Sequence, residues 1–441
     1  MTDVNKGTLQ QITDQPRGHI LTNINVWSPD SKWIVYDTRS DPAGDTFDAS
    51  TIEIVNVESR EVRQIYQSHN GAQCGVATFS PTSERVAFIL GPEHPTSEWQ
   101  YSPWHRQGVL IDIDKPNAAT SLDARDLTPP FTPGALRGGT HVHVFHPAGD
   151  CLSFTYEDHR LATCKREHGA ADVQMNQRNV GVSLLGRPVD VPRSHPRNHA
   201  GVAFSVLATH TVNQPRPGSD DISRACEEGW IGTDGYLRPD GSRQRRSLAF
   251  QGTMITANGD SLVEVFLVDL PEDITCAGDH PLEGSSTTLP APPRGTEQRR
   301  LTYTTNRKYP GIQGVRHWLR SSPDGFRIAF LMRDDNGVAQ IWTISPNGGE
   351  PRQVTTAPFE VASAFSWHPA GNTIAYIADY SVFTTDVASG ETVRRSERAD
   401  SASAPRPEAC VFSPDGNRIA YVRRMLTGSV FFNQIFVTEV R

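Results

Sequence analysis

The chain has 441 residues, of which 37 % are hydrophobic and 21 % charged, with 35 glycines and 32 prolines. That balance excludes a disordered chain and a helical bundle and points to a turn-rich globular protein. With 42 basic against 50 acidic residues the net charge is −8, and no basic stripe stands out, which speaks against nucleic acid as a partner.

The opening segment MTDVNKGTLQQIT is polar. It lacks the apolar core and small-residue cleavage site of a signal peptide. No apolar run approaches the roughly 18 residues of a membrane span, so no membrane partner is expected. Six cysteines are scattered without C-x-x-C spacing and read as free thiols. Together these features predict a cytoplasmic protein.

One pattern recurs along the chain: an alternating apolar strand, a Ser/His-Pro-Asp/Ala-Gly-like turn, and a second apolar strand. Its copies are NINVWSPDSKWIVYDTR from Asn23, GVATFSPTSERVAFIL from Gly75, HVHVFHPAGDCLSFTY from His141, WLRSSPDGFRIAFLM from Trp318, SAFSWHPAGNTIAYIA from Ser363 and ACVFSPDGNRIAYVR from Ala409. Proline presets φ in the turn and glycine accepts a positive φ, so each copy predicts a β-hairpin. The turn prolines stand at 29, 81, 147, 323, 369 and 414, at spacings of 45 to 66 apart from one gap of 176. Units of that length with four short strands make propeller blades. Inside the gap, 201–212, 247–256 and 261–270 read as three strands of a further blade, with 298–302 as its fourth. The expected fold is an all-β, seven-bladed β-propeller in one domain, 1–441. The chain closes on the strand NQIFVTEV (433–440), and LQQIT (9–13) is expected to add to that last blade, removing an open sheet edge. Insertions are expected near 92–107, 160–177, 213–246 and 271–297. Within the third, 219–230 reads as a short helix with Ser219 as N-cap and acids in its first turn. The fourth reads as a Pro/Ser-rich loop without chemistry.

The strand–SPDG–strand repeat resembles the TolB-type, WD-like propeller repeat over almost the whole chain. The segments GGTHVHVFHPAGD, SFTYEDH, NQRNVGVS, HPRNHAG and VNQPRPGSDDISRACEEGWIG are similar to the bacterial YidR-like family, which is assigned to the propeller class. A looser resemblance is to oligogalacturonate lyases, seven-bladed propellers that hold a metal through histidines of a T-H-x-H-type segment. The corresponding run here is Thr140-His141-Val142-His143. A shared fold does not carry a reaction with it.

The segments entering each innermost strand (17–25, 68–77, 137–143, 193–201, 308–317, 357–363, 402–408) should surround one mouth of the central channel. They hold seven of the fifteen histidines: His19, His69, His141, His143, His195, His199 and His317. Asp158 and His159, at the end of SFTYED, join the same face. Two histidines two apart on a strand point to one side, so His141 and His143, with His199 or His317 as the third and His317 the choice, could ligate a divalent metal such as Mn, Zn, Fe or Ni. Equally, His143 could fill the inner strand while His141 stays on a solvated rim. His159 and His199 titrate near neutrality and are candidate catalytic bases. Arg197, Arg316, Arg406 and Glu408 are candidate substrate-binding groups, the guanidinium fork matching a carboxylate. Arg197 and Arg316 could instead pair with Glu360 or Glu408 between blades. His146 and His368 replace the serine before a turn proline and read as turn residues. His94, His105, His168 and His280 fall in insertions and read as surface. The pair Glu227-Glu228 makes a poor dyad if it lies on a helix.

No G-x-S-x-G elbow, Walker or dinucleotide glycine pattern, or H-E-x-x-H occurs. Two functions follow. One is a metal-dependent, lyase-like enzyme acting on a small acidic sugar. The other is a non-catalytic, TolB-like propeller holding a protein or peptide in its funnel.

Overall fold

The computed structural model describes residues 9–41, 44–168 and 173–440, the side chains of 165–168 excepted. Seven four-stranded antiparallel sheets succeed one another along the chain. They stand as blades around an axis, with the first strand of each innermost, and form the expected β-propeller. Blade 7 takes its fourth strand from the other end of the chain. Leu9–Gln11 pairs antiparallel with Val430–Glu439, Leu9 opposite Thr438 and Gln11 opposite Phe436. Thr13 Oγ1 then donates to Gln434 Oε1 at 2.7 Å. No helix among the described residues is long and apolar enough to cross a membrane.

The blades adhere through the apolar faces that strand alternation creates. Val26, Tyr36 and Val55 of blade 1 pack on Val411, Val422 and Ile435 of blade 7. Equivalent clusters join blades 1 and 2, 3 and 4, 4 and 5, 5 and 6, and 6 and 7. Blades 2 and 3 share a smaller one around Phe145, Leu152 and Leu110. Burying a Val, Leu, Ile or Phe side chain is worth roughly 1.5–3 kcal/mol, so the ring is held by the sum of these seams.

The repeat turn explains its own composition. In blades 1, 5 and 7 the serine before the proline donates to the aspartate two residues on: Ser28 to Asp30 at 2.6 Å, Ser322 to Asp324 at 2.5 Å and Ser413 to Asp415 at 2.5 Å. Where histidine replaces serine, its ring supplies the acceptor. Nδ1 of His146 accepts the Ala148 N–H at 3.2 Å, and Nδ1 of His368 accepts that of Ala370 at 3.0 Å. These histidines are turn residues, as expected. Gly416 sits at φ +75°, which its lack of a Cβ permits.

Blade 4 departs from the sequence reading. Residues 219–230 contain no helix: Ile222–Trp230 is the innermost strand of blade 4 and pairs with Ser247–Ile255. The segment 201–212 supplies Gly201–Leu207, the fourth strand of blade 3, not the first of blade 4. Glu297–Arg300 closes blade 4, as expected. The acids that suggested a helical first turn pair instead with arginines, Asp221 with Arg216 at 2.8 Å and Asp220 with Arg300 at 3.6 Å. Six inward-buried side chains of Ile222–Trp230 need a sheet on both sides, and that tertiary demand outweighs the local capping signal. The region 213–246 is therefore a core strand followed by a short hairpin, Tyr236–Leu237 against Arg243–Gln244, and not an insertion.

Among the described residues there is one α-helix, His159–His168, which follows the second strand of blade 3. Asp158 caps it, its Oδ1 accepting the Leu161 N–H at 2.8 Å. The other oxygen of Asp158 holds Arg137 at 2.7 Å, both side chains fully buried. Arg137 also donates to the carbonyls of Ser285 and Thr288. The 271–297 loop is thus tied onto blade 3, with Leu282 and Leu289 buried beneath it.

Candidate functional site

The polar side chains of blades 2 to 4 gather in two places. The first is a cleft of about 300 Å³ between blades 2 and 3, lined in part by Trp99, His105, Arg125, Arg197 and His199. Trp99 and His105 come from the long connection between Arg85–Leu90 and Gln107–Asp112. Arg125 lies in the link to blade 3, and His195, Arg197 and His199 in the loop before Gly201–Leu207. A two-way backbone bridge between Arg125 and His199, at 2.9 and 3.1 Å, pins that loop down. Asn198 adds a side-chain acceptor for the Leu127 N–H at 2.9 Å.

Within this cleft the histidines form a chain. The His105 ring stacks on Trp99 at 3.8 Å between centroids. Nδ1 of His105 lies 2.7 Å from the Gln100 carbonyl, which can only accept, so Nδ1 carries the proton. Nε2 of His105, 3.0 Å from Nδ1 of His159, is then the acceptor. That leaves the lone pair of His159 on Nε2. Burial pulls the imidazoles down from their ordinary 6.5: His105 to about 4, and His159 and His199 to about 3. The nearby charges of Arg125 and Arg197 push the same way on His105.

The arginines of the cleft hold backbone, not carboxylates. Arg125 is buried and donates to the Arg106 carbonyl at 2.5 Å. Arg197 donates to the carbonyls of Glu93 and His94 at 2.7 and 2.9 Å. Both guanidiniums lie 5.6 Å from the Trp99 ring. Neither makes an ion pair among the described residues. Nε of Arg125 and Nε2 of His199 are buried with no partner.

The second place is the channel end of blades 2 to 5. Three inner strands carry a bulge here, with a residue at positive φ: Val76, Val142 and Glu227 at +59°, +57° and +53°. In blade 3 the register jumps between His141 and Val144. The extra residue breaks the alternation that would have set His141 and His143 on one side. His141 faces the charges of Arg106, Arg316 and Arg178, which add to burial in lowering its pKa well below 6.5. His143 is sealed between Gly108 and Phe154, with neither ring nitrogen bonded. His317 has both nitrogens engaged: Nδ1 with the Val315 carbonyl and Nε2 with the Leu331 N–H, each at 3.0 Å. His141, His143 and His317 are thus not presented as three open ligands. Among the described residues the one trio of clustered ligand atoms is His146, Asp150 and Cys151. In that trio Asp150 Oδ2 pairs with Arg246 at 2.5 Å and His146 Nδ1 accepts from the turn, while Asp150 Oδ1 and His146 Nε2 have no hydrogen-bond partner and burial holds the Cys151 thiol well above its ordinary pKa.

The remaining predicted groups are paired with protein. Arg316 reaches Glu227 at 3.1 Å across blades 4 and 5. Arg406 holds Glu408, two residues along its own strand, at 2.5 Å, and Asp45 at 3.3 Å. Glu360 pairs with Arg333 at 3.2 Å. The structure therefore brings together His159, His195, Arg197 and His199, and leaves Arg316, Arg406 and Glu408 in ion pairs.

Against known proteins, the chain is 46 % identical over 435 residues to YidR of Escherichia coli (strain K12), across 98 % of this chain and 97 % of that one. The chain belongs to the YidR family. A family profile described as a protein of unknown function, DUF3748, matches residues 73–199, the stretch that builds the cleft. Among solved structures, an oligogalacturonate lyase in complex with manganese aligns over 100 % of this chain and 96 % of that one, with a TM-score of 0.58 and 12 % identity. An oligogalacturonate lyase from Vibrio parahaemolyticus aligns over the same shares with a TM-score of 0.55 and 11 % identity. At such identity the likeness is one of fold.

For this YidR-family chain the sequence reading missed Trp99, His105 and Arg125. His105 is buried in the cleft, not on the surface, while His94 and His280 are exposed as expected. The side chain of His168 lies outside the described residues. The available signal was the aromatic density of WQYSPWH (99–105), unusual for a solvated loop.

Proposed function

We propose that the cleft between blades 2 and 3 binds a small acidic carbohydrate and that its histidines carry lyase-like proton transfer on it. The observation that supports this reading is the charge inventory. Two arginines without an ion pair line the cavity with His105 and His199, and a third imidazole, His159, adjoins it through its 3.0 Å contact with His105; burial keeps all three rings neutral. The one acid whose charge reaches Arg125, Asp123, makes no ion pair with it and is itself pushed up to about 6 by burial, and a sugar carboxylate matches the guanidinium fork of Arg197 and Arg125. Bound there, it raises the depressed pKa of the imidazoles beside it, since an opposite charge favours the protonated ring.

His159 is then the base. Its Nδ1–H is oriented by His105, itself fixed by the Gln100 carbonyl, so Nε2 is the free acceptor. In a β-elimination the base takes the proton on the carbon next to the carboxylate. The electron pair forms a carbon–carbon double bond, and the bond to the glycosidic oxygen breaks. The leaving oxygen then takes a proton. The arginines stabilise the negative charge that builds on the carboxylate before the bond breaks.

The test is a screen of uronate oligomers for the ultraviolet absorbance of the conjugated unsaturated product, with binding followed by calorimetry. Turnover lost in His159→Gln but with binding retained supports the reading, and Arg197→Met should weaken binding. Binding without turnover by any uronate leaves the cleft a binding module and removes the enzyme. Absence of both removes the proposal.

A further inference from the structure

The opposite end of the channel holds a second cavity of about 300 Å³, on the propeller axis and touched by all seven blades. It lies at the repeat turns, away from the His159 cleft. Six blades place an aromatic side chain two residues before the turn proline or its counterpart: Trp27, Phe79, Phe145, Trp230, Trp367 and Phe412. Blade 5 breaks the series with Ser321, so the ring of aromatics has a gap.

At that gap stands Arg320. It is 4 % exposed and lines the cavity. Its guanidinium crosses from blade 5 to blade 1, donating to Asn23 Oδ1, and also donates to the Leu319 carbonyl at 3.0 Å. Its Nε is buried without a partner. Among the described residues no carboxylate forms an ion pair with it. Glu228, the acid whose charge reaches it, is itself buried, with one oxygen unpartnered and its pKa pushed up to about 7. A buried cation held only by neutral groups is costly, and a counter-anion offsets that cost.

We infer that this aromatic funnel is a second ligand site, which takes a small aryl or alkyl carboxylate with its apolar body among the six rings and its carboxylate on Arg320. The cavity is of the size and apolar character of small-molecule pockets, with one convergent charge to fix orientation. The inference is independent of the cleft, whose residues belong to other elements.

The experiment is calorimetry and tryptophan-fluorescence titration of the full chain with 3-phenylpropionate and hexanoate. Each is run beside its primary amide, with inorganic phosphate as control. The acids are expected to bind and to change the emission of Trp27, Trp230 and Trp367, the amides about tenfold more weakly or less. Arg320→Met should abolish binding. Because that variant removes a buried charge, Ser321→Phe provides an independent arm. It completes the ring with a residue type the other blades carry, and should block binding without lowering the melting temperature by more than a few degrees. No binding by either acid, equal binding of acid and amide, equal binding of phosphate, or binding retained in Ser321→Phe would each overturn the inference. His159→Gln should bind these acids as the parent does, which keeps the two sites distinguishable.

Discussion

Blades 5 to 7 and blades 2 to 4 are built from the same unit and behave as two kinds of structure. In blades 5 to 7 the turn prolines follow at 46 and 45 residues, at 323, 369 and 414, and the connections are short. In blades 2 to 4 all three inner strands are bulged at positive φ, the connections lengthen, and a helix is inserted. Unpartnered buried polar atoms at Asp123, Arg125, His143, Ser153, His199 and Glu228 lie in or beside the irregular blades, and others, among them Arg320 Nε and Tyr421 Oη, lie in the regular ones. Regular blades keep the alternation of their strands over most of their length. Irregular ones aim side chains where alternation would not, which is what a site needs. The difference teaches that the bulged inner strands and the His/Arg-lined cleft fall in the same half of the ring.

Three perturbations sharpen or break this contrast. The largest effect is expected from Arg137→Met in blade 3. It strands the buried carboxylate of Asp158 and releases the 271–297 loop, and should cost about 3–5 kcal/mol by chemical denaturation. A loss under about 1 kcal/mol would show that the pair does not hold the irregular half together.

The second is pH. His143 is held at about 3, as are His159 and His199. Unfolded, each titrates near 6.5, so below that value the unfolded chain takes up protons that the fold refuses. Stability should be full above pH 6.5 and fall toward pH 4, by at most about 1.4 kcal/mol per pH unit for each histidine. Glu228 works the other way: its raised pKa favours the fold at low pH, and that contribution fades as pH climbs through about 7. Thermal melts across this range should show His143→Asn with a shallower acid-side slope, and Glu228→Gln without the decline near neutrality. Parallel curves for parent and variants would refute the burial of these groups.

The smallest effect belongs to the regular half. Asp415→Ala removes acceptors for Ser413 Oγ and the Asn417 N–H in one turn of blade 7. It should cost about 1 kcal/mol and leave ligand binding in the cleft untouched.

What the sequence shows follows the same line. Six Pro-turn hairpins made the propeller and its closure by Leu9–Gln11 readable, because period-2 alternation and turn chemistry are local. Blade 4 resisted because its first turn reads Ile231-Gly232-Thr233, with no proline to mark it. Ser219 with Asp220 and Asp221 then imitated a helix start. Of the site, His159, Arg197 and His199 were visible as a concentration of His and Arg. His105 and Trp99 were hidden because a loop is read as surface until something is seen to fold over it. His141 and His143 misled because a positive φ at Val142, a β-branched residue that rarely adopts one, cannot be read from spacing.

The seam between Leu9–Gln11 and Val430–Glu439 also sets an order of events. The Thr13–Gln434 bond spans 421 positions, so the earliest strand made waits for the last one. Until that pairing forms, the stacked blades make an open arc whose two end blades expose the apolar faces that later meet, surface able to join a neighbouring chain. Only when Val430–Glu439 emerges does the arc become a circle. Assembly is therefore decided late, and a substitution that weakens this seam is felt first as lost yield during biogenesis and only afterwards as a lower melting point.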